Sequence, residues 1–344
     1  PLLTSISATS TMRGREKTIF IGETAPIPHF CGAPEHPGKP RVRPKLCRGH
    51  GRRGDHDAWC ESSHAGRLSK CRNFGRLCRV TVRKETAVSA SNRFFWYELM
   101  TTDVEAAKSF YTGVVGWTAT VWGEVAEGSP YIIMNAGDRG IGGIMRLPEA
   151  VKQMGGGPAW VGYIHVADAD AKAAEIKAAG GQVYREPSDI PGVGRFSVVT
   201  DPQGAVFMLL TPQGQGLPPG PRMTAGHVGW HELCAADWHG ALAFYASQFR
   251  WTATTSVDMR DMGTYQIFSM GNGDEGGMMN KMPDMPTPFW TFYFVVEGIE
   301  AASERVKQGG GNVVFGPMQV PDASWILHAR DPQGAPFALV SPTQ

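Results

Sequence analysis

The sequence predicts an α+β protein in which four copies of one βαβββ unit form two tandem domains. Internal repetition is the main observation behind this prediction. The stretch from Phe94 to Thr118 recurs, with many identities, from Val228 to Thr252, 134 residues later. Residues 158–187 and 200–212 recur in the same way with an offset of 130 residues. Repetition at a fixed period indicates duplicated structural units.

The repeats place the domain boundaries. We expect residues 93–212 to form the first domain and residues 227–344 the second. Residues 213–226 are rich in Pro and Gly, which is typical of a linker. A chain of 344 residues is long enough for two domains with cores of their own. It has no apolar run of the length that crosses a membrane, so no membrane partner is expected.

Residues 1–90 differ from the rest in charge and pattern. Residues 1–92 contain 17 Lys and Arg against 7 Asp and Glu, whereas residues 93–344 contain 16 against 25. Pro, Gly and Arg dominate without apolar periodicity, which predicts a disordered basic extension. One alternative is an arm that contacts nucleic acid or acidic lipid. Another is a zinc module, with ligands from Cys47, His50, Cys60, His64, Cys71 and Cys78.

Cysteine usage bears on the compartment. Five of the six cysteines lie in the extension, which leaves Cys234 in the predicted domains. A folded body with one cysteine is typical of a reducing environment, so we expect a cytoplasmic protein. The acidic balance of the domains gives no reason to expect that they bind nucleic acid. The sequence leaves open whether the chain is a monomer or a homodimer.

Each unit begins with a strand, then an Asp, then a helix. Asp103 and Asp168 are placed to cap the helices that follow them. Gly180 and Gly181 follow the second helix, where a positive φ ends a helix at little cost. Later strands are separated by turn residues, of which Asp-Pro-Gln-Gly at 201–204 is the clearest. Two such units side by side would curl eight strands around one cleft, with the helices outside.

The ordered patterns D-x-x-x-A-x-x-F-Y-x-x-x-x-G-W, V-x-D-x-D-A, A-G-G and D-P-Q-G resemble the vicinal oxygen chelate superfamily. That superfamily includes glyoxalase I, extradiol dioxygenases and bleomycin-resistance proteins. The resemblance covers both predicted domains and is greatest to the two-domain glyoxalase-like subgroup. It implies the paired βαβββ fold and a cleft that binds a small molecule.

The resemblance also implies where a divalent metal would be held. In catalytic members, the ligand positions correspond to Trp96, Val161 and Met208 in the first domain and to Trp230, Thr291 and Ala338 in the second. Indole, alkyl and thioether groups are poor ligands for Zn²⁺, Mn²⁺ or Fe²⁺. We therefore expect no cofactor. A divalent metal held by displaced ligands remains the alternative, with ligands from Glu98, His165, His227, His231 and Glu232.

Two glutamates are the first residues that could carry chemistry. Glu98 and Glu232 follow Trp96 and Trp230 by two positions, so strand alternation turns all four side chains to the cleft. A carboxyl group on an apolar wall has a raised pKa, as a general acid or base requires. The alternative is a structural Glu that is hydrogen-bonded to backbone or to tyrosine hydroxyls.

Tyr163 and His165 extend the row that begins at Val161. Tyr293 repeats Tyr163, but Val295 stands where the first domain has His165. The first cleft is therefore expected to be the more polar and the better candidate for chemistry. We assign candidate catalytic roles to Glu98, His165 and Glu232. We assign candidate ligand contacts to Trp96, Val161, Tyr163, Met208, Trp230, Thr291 and Tyr293.

These features favour a protein that binds a small apolar or aromatic molecule without a metal. Large aromatic walls with a few polar groups suit such a ligand. The alternative is a metal-dependent, glyoxalase-type lyase or ring-cleaving dioxygenase that uses displaced ligands. A third reading is a scaffold whose clefts are filled by its own side chains. The sequence leaves open whether the chain is an enzyme.

Overall fold

The computed structural model describes residues 91–125, 128–214 and 223–344. The predicted extension, with its candidate zinc ligands, lies outside these residues, and so does most of the predicted linker. Among the described residues, no helix combines the length and the apolar character needed to cross a membrane.

Residues of the first repeat form one eight-stranded sheet. Its order is β2-β3-β4-β1-β5-β8-β7-β6. The strands are β1 (Phe94–Thr101), β2 (Thr118–Val125), β3 (Ser129–Ala136), β4 (Arg139–Arg146), β5 (Ala159–His165), β6 (Gln182–Ile190), β7 (Gly194–Thr200) and β8 (Val206–Pro212).

The second repeat forms a sheet of the same design, in the order β10-β11-β12-β9-β13-β16-β15-β14. Its strands are β9 (Val228–Ala235), β10 (Thr252–Asp258), β11 (Thr264–Ser269), β12 (Gly276–Asn280), β13 (Phe289–Val295), β14 (Asn312–Gln319), β15 (Trp325–Arg330) and β16 (Pro336–Ser341).

Each sheet joins two βαβββ units through their first strands. In the first sheet, β1 is antiparallel to β5 and parallel to β4, and β5 is parallel to β8. In the second sheet, β9 is antiparallel to β13 and parallel to β12. The predicted α+β fold of four βαβββ units is therefore confirmed.

Helices connect the first and second strands of each unit. They are α1 (Val104–Val115), α3 (Ala169–Ala178), α4 (Trp238–Phe249) and α5 (Ile299–Gln308), with the short α2 (Glu149–Gln153) after β4. Asp103 and Asp168 cap α1 and α3 as predicted, each accepting from a backbone N–H at 3.0 Å. Gly180 follows α3 with a φ of +91°, which confirms the predicted helix end.

The Asp-Pro-Gln-Gly turns also hold the two domains together. Asp201 accepts from two backbone N–H groups of its own turn, at 2.8 and 2.9 Å. It also accepts from the hydroxyl of Tyr245 in the other domain, at 3.3 Å. The symmetric contact joins Tyr111 to Asp331 at 3.2 Å. Each domain thus caps the turn of its counterpart.

The helix-bearing faces of the two sheets enclose one shared core. The Phe294 ring of the second domain lies 4.9 Å from the rings of both Trp117 and Trp160 in the first. Phe94 of the first domain stacks on His231 of the second, with ring centroids 5.1 Å apart. Burial of aromatic surface on this scale is the main force that joins the domains.

Two polar pairs lie inside the shared core. Arg93 forms an ion pair with Glu275, and both side chains are nearly fully buried. The Tyr97 hydroxyl lies 2.7 Å from His231 Nε2. His231 Nδ1 lies 2.8 Å from the backbone oxygen of Glu275. Burial lowers the pKa of His231 to about 4, and the nearby Arg93 charge acts in the same direction.

Candidate functional site

The opposite face of each sheet forms what we call a cup. In the first domain, this face carries Trp96 and Met208, which are 2% and 1% exposed. Apart from Val151 of α2, the buried side chains on this face come from strands and the turns next to them. No further layer of described residues covers this face, so side chains that deep mean that the sheet curls around them. We call the inner face of β1–β8 the first cup and that of β9–β16 the second cup.

A glutamate lies at the centre of the first cup and is only 2% exposed. Glu98 Oε2 accepts from the Tyr131 hydroxyl at 3.0 Å, and Oε1 accepts from the Tyr163 hydroxyl at 3.1 Å. The Trp96 indole donates to the Tyr131 oxygen at 3.2 Å. Burial raises the pKa of Glu98 to about 7, although both hydroxyl donors act in the opposite direction.

A glycine makes room for this network in each domain. Gly143 lies opposite Glu98 in the sheet, and an added Cβ there would come within 2.0 Å of the Tyr131 hydroxyl. An added Cβ at Gly277 would come within 2.1 Å of the Tyr265 ring. Both positions therefore require a residue without a side chain, because the tyrosine ring crosses the backbone there.

Apolar side chains fill the rest of the first cup. Val161, Val198 and Phe196 are all buried, and so are Met100 and Leu210. The Arg185 guanidinium lies over the Phe196 ring, 4.6 Å from its centroid. This packing leaves the first cup filled by the protein itself.

His165 lies at the end of β5 and is half-buried. Its ring is 5.5 Å from that of Phe95, which also packs on the side chains of the first cup. The hydrogen bonds of Glu98 go instead to Tyr131 and Tyr163. The structure therefore does not join the two predicted catalytic residues of the first domain by a hydrogen bond.

The second cup repeats the network with one difference. The Tyr265 and Tyr293 hydroxyls both lie 3.0 Å from the same oxygen, Glu232 Oε2. The Trp230 indole donates to the Tyr265 oxygen at 2.7 Å. No hydrogen bond from a described residue reaches Glu232 Oε1. One carboxylate oxygen of a side chain that is 9% exposed is thus left to accept from another molecule.

His328 is a candidate site residue that the sequence gave little weight. Its Nε2 lies 2.8 Å from the Tyr293 hydroxyl, so the imidazole joins the network of Glu232. Its ring also contacts Phe315, with centroids 5.9 Å apart. The equivalent residue of the first domain is Val198, so the histidine is not repeated in the sequence. The structure brings it to the site, because His328 pairs with Ala338, which lies next to Tyr293 in the sheet.

Of five matched side chains in the second cup, three are smaller than their counterparts in the first cup and two are more polar. At positions equivalent by the repeat offsets, Met208 is replaced by Ala338, Met100 by Cys234 and Phe196 by Ile326; Val161 is replaced by Thr291 and Val198 by His328. The buried apolar cluster contracts to Tyr293, Val295, Ala338 and Val340, with Trp230 only partly buried against it. Phe315, on the edge strand β14, is 48% exposed. The second cup is therefore less filled and more polar than the first.

The remaining candidates face elsewhere or are chemically inert. His231 lies in the shared core, on the opposite side of β9 from Glu232. Burial raises the pKa of the Cys234 thiol, and the nearby Glu232 charge adds to this, so the thiol is protonated and a poor nucleophile. Among the residues that the structure describes, no three His, Cys, Asp or Glu side chains come together in a way that could hold a metal ion.

A family model matches residues 93–209 and again residues 224–339; it describes the Glyoxalase/Bleomycin resistance protein/Dioxygenase superfamily. The chain belongs to this superfamily. The two matches coincide with the two sheets, so each glyoxalase-superfamily domain consists of one cup and its helices.

Two curated relatives extend the comparison. "Putative glyoxylase CFP32" of Mycobacterium bovis is 47% identical over 251 residues, which cover 72% of this chain and 94% of that protein. "Anthracycline biosynthesis protein DnrV" of Streptomyces peucetius is 29% identical over 262 residues, which cover 71% of this chain and 91% of that protein. Both relatives match across nearly their whole length.

Solved structures of the glyoxalase superfamily share the fold. The 2,3-dioxygenase LapB of Pseudomonas sp. KL28 matches with a TM-score of 0.54 and 15% identity, over 75% of this chain and 94% of that one. The Mn(II)-bound glyoxalase of Novosphingobium aromaticivorans matches with a TM-score of 0.51 and 15% identity, over 74% and 83%. At this level of identity the likeness concerns the fold alone.

Proposed function

We propose that the chain binds a small apolar or aromatic organic molecule in the second cup, without a protein-bound metal. The observation that carries the proposal is the loss of bulk at matched positions of the two cups. Met208 fills the first cup, whereas Ala338 stands at the same place in the second. Ala338 is itself fully buried, and His328 is larger than the Val198 that it replaces. We therefore place the ligand beside Trp230, which is only partly buried where its counterpart Trp96 is 2% exposed.

The walls of the second cup suit an aromatic ligand. Trp230 is held in orientation by its hydrogen bond to Tyr265, while part of its indole remains exposed. Phe315 adds a second exposed ring near His328. Rigid aromatic walls with a few fixed polar groups are typical of small-molecule sites.

The first cup is the weaker place for a ligand, although the sequence favoured it because of Tyr163 and His165. Trp96 and Val161 are 2% and 3% exposed, whereas their counterparts Trp230 and Thr291 are partly buried and 8% exposed. Tyr163 and Met208 are as deeply buried as their counterparts in the second cup. A ligand there would have to displace packed side chains, at a cost in stability. We therefore interpret Glu98 as a buried carboxyl group whose partners are the two tyrosines.

A divalent metal of the kind that the superfamily implies does not fit these residues. Trp230, Thr291 and Ala338 occupy the implied ligand positions of the second cup and provide at most one weak oxygen donor. Glu232 already accepts from two tyrosines through Oε2. His328 Nε2 is directed at the Tyr293 hydroxyl. The donor set is thus short of the three or more ligands that a stable site needs.

The relatives are compatible with a small-molecule ligand. DnrV is named for the biosynthesis of an anthracycline, a small organic molecule, and it aligns with this chain across both domains. CFP32 carries the name of a putative glyoxylase.

Thermal unfolding with an apolar probe tests the proposal. We expect 3-ethylindole at 100 times its Kd to add about 2.7 kcal/mol of stability, which raises Tm by about 5–10 °C in a body of this size. Ala338→Met should abolish the shift, because a longer side chain at this buried wall position must displace its neighbours into the second cup. Met208→Leu, a volume-conserving change in the first cup, is the matched control and should leave the shift intact. A shift that survives Ala338→Met would overturn the placement.

Metal analysis tests the absence of a bound ion separately. The purified full chain should contain well below one equivalent of Zn, Ni, Mn or Fe after dialysis. Its response to 3-ethylindole should be unchanged in EDTA. Stoichiometric metal that withstands dialysis, together with loss of the response in EDTA, would contradict the proposal.

A further inference from the structure

The free oxygen of Glu232 points to the chemistry of the ligand. In the first cup, the two tyrosine hydroxyls are divided between the two oxygens of Glu98. In the second cup, both hydroxyls reach Oε2 of Glu232, and no described residue donates to Oε1. A nearly buried carboxylate oxygen without a donor is costly unless water or a ligand supplies one.

Thr291 adds a second unused polar group beside it. Thr291 is the cross-strand partner of Glu232, just as Val161 is the partner of Glu98. It is 8% exposed, and no hydrogen bond with a described residue engages its hydroxyl. The second cup has thus gained a polar atom at the place where the first cup has an isopropyl group.

The net charge of the two domains and the rings of the second cup favour a cation. Residues 93–344 contain 25 Asp and Glu against 16 Lys and Arg, so the folded body attracts positive ligands. Trp230 and Phe315 are aromatic rings that are at least partly exposed, and the face of such a ring attracts a cation placed over it. Hydrogen bonds between an ammonium group and a carboxylate are also stronger than neutral ones.

We propose that the second cup recognises an aromatic or apolar molecule bearing a protonated amine. The ring packs on Trp230, and the ammonium group donates to Glu232 Oε1 and Thr291 Oγ1. This inference rests on the function proposed above and specifies the ligand that the second cup selects. The first cup has no equivalent selectivity, because both oxygens of Glu98 already accept hydrogen bonds.

Four probes that share one ring separate the inference from the proposed function. They are tryptamine, which carries an ammonium group; tryptophol, which carries a hydroxyl; 3-ethylindole, which carries neither; and indole-3-acetate, which carries a carboxylate. Titration calorimetry on the full chain should rank tryptamine about tenfold tighter than tryptophol, as one charge-assisted hydrogen bond implies. Indole-3-acetate should bind weakest, because its carboxylate meets that of Glu232.

Variants locate the source of the preference. Glu232→Gln should reduce tryptamine to the affinity of tryptophol and leave 3-ethylindole unchanged. Thr291→Val should lower the affinity for tryptamine by a smaller factor. Glu98→Gln, the same change in the filled cup, should alter none of the four affinities. The ranking in the unmodified chain needs no variant, so a variant that fails to fold does not remove the test.

The outcomes are distinct. Equal affinities for tryptamine, tryptophol and 3-ethylindole, all lost in Ala338→Met, would overturn the amine inference and leave the proposed function standing. A tenfold preference that persists in Glu232→Gln would also overturn the inference. Absence of binding by all four probes would overturn both.

Discussion

Replacing Glu98 by Gln should change how the stability of the protein depends on pH. The pKa of Glu98 rises from its ordinary value of 4.5 to about 7 on folding, mainly because burial removes its carboxylate from water. The folded state therefore holds this proton more tightly than the unfolded state. The resulting stability is fully present below pH 4.5 and is lost as the pH rises to about 7. A change of this size corresponds to about 3 kcal/mol in the free energy of unfolding.

His231 acts in the opposite direction over nearly the same range. Burial lowers its pKa from 6.5 to about 4, so its contribution is present above pH 6.5 and is lost as the pH falls to about 4. The two effects largely cancel in the unmodified protein. The Glu98 effect must therefore be measured as a difference between variants rather than as a slope of the unmodified protein alone.

Urea unfolding followed by circular dichroism at pH 4.5, 5.5, 6.5 and 7.5 provides the measurement. The free energy of unfolding of the unmodified protein, minus that of Glu98→Gln, should fall by about 3 kcal/mol across this range. The free energy of unfolding of the unmodified protein, minus that of His231→Gln, should rise across the same range. The His231→Gln variant itself should lose stability as the pH rises, because only the effect of Glu98 remains. Tyr131→Phe removes a hydrogen bond that lowers the pKa of Glu98, so the fall should extend to higher pH.

A constant difference between the unmodified protein and Glu98→Gln across this range would refute the reasoning. It would mean that the Glu98 carboxyl titrates as in an unfolded chain, despite its burial and its two tyrosine partners. A difference that grows with pH would mean that the hydroxyl donors outweigh the loss of solvation.

Three further changes test the packing and the polar contacts by urea unfolding. Met208→Ala should cost about 2–5 kcal/mol, because it opens a cavity in the filled first cup; a cost below about 1 kcal/mol would mean that the cup is not packed. Arg93→Ala should lower the free energy of unfolding by about 3–5 kcal/mol, because it leaves Glu275 buried without its cation. An unchanged free energy of unfolding would mean that the ion pair does not form in the shared core. Asp103→Ala should cost about 1 kcal/mol by removing the cap of α1, whereas Glu105→Ala on the exposed face is expected to change little.

Much of the fold could be predicted because its signals are local or repeated. Strand alternation correctly turned Glu98 and Glu232 to the same face as Trp96 and Trp230. The caps at Asp103 and Asp168 depend on residues within one turn of helix, so sequence alone reveals them. The repeat offsets then fixed which strands are equivalent, and the topology followed.

The difference between the two cups could not be predicted in the same way. Whether a cup is filled depends on side chains that meet from strands far apart in the chain, such as Trp96 of β1 and Met208 of β8. The role of His328 depends on Tyr293, 35 residues away, and on the register of three neighbouring strands. Pattern reasoning also ranked His165 highly because it shares a strand face with Tyr163, whereas its ring lies beside Phe95.

The shared aromatic core has a consequence for how the halves of this chain can change. Tyr111 and Tyr245 each complete a turn in the opposite repeat, so neither half is fully bonded when separated. Cutting the chain between Pro212 and Val228 would expose a large apolar surface on each fragment. The two fragments should therefore fold stably only when they are expressed together. The hydrogen-bond networks of the two cups, by contrast, each lie within one domain. Substitutions could therefore fill one cup and leave the other open without changing the shared core.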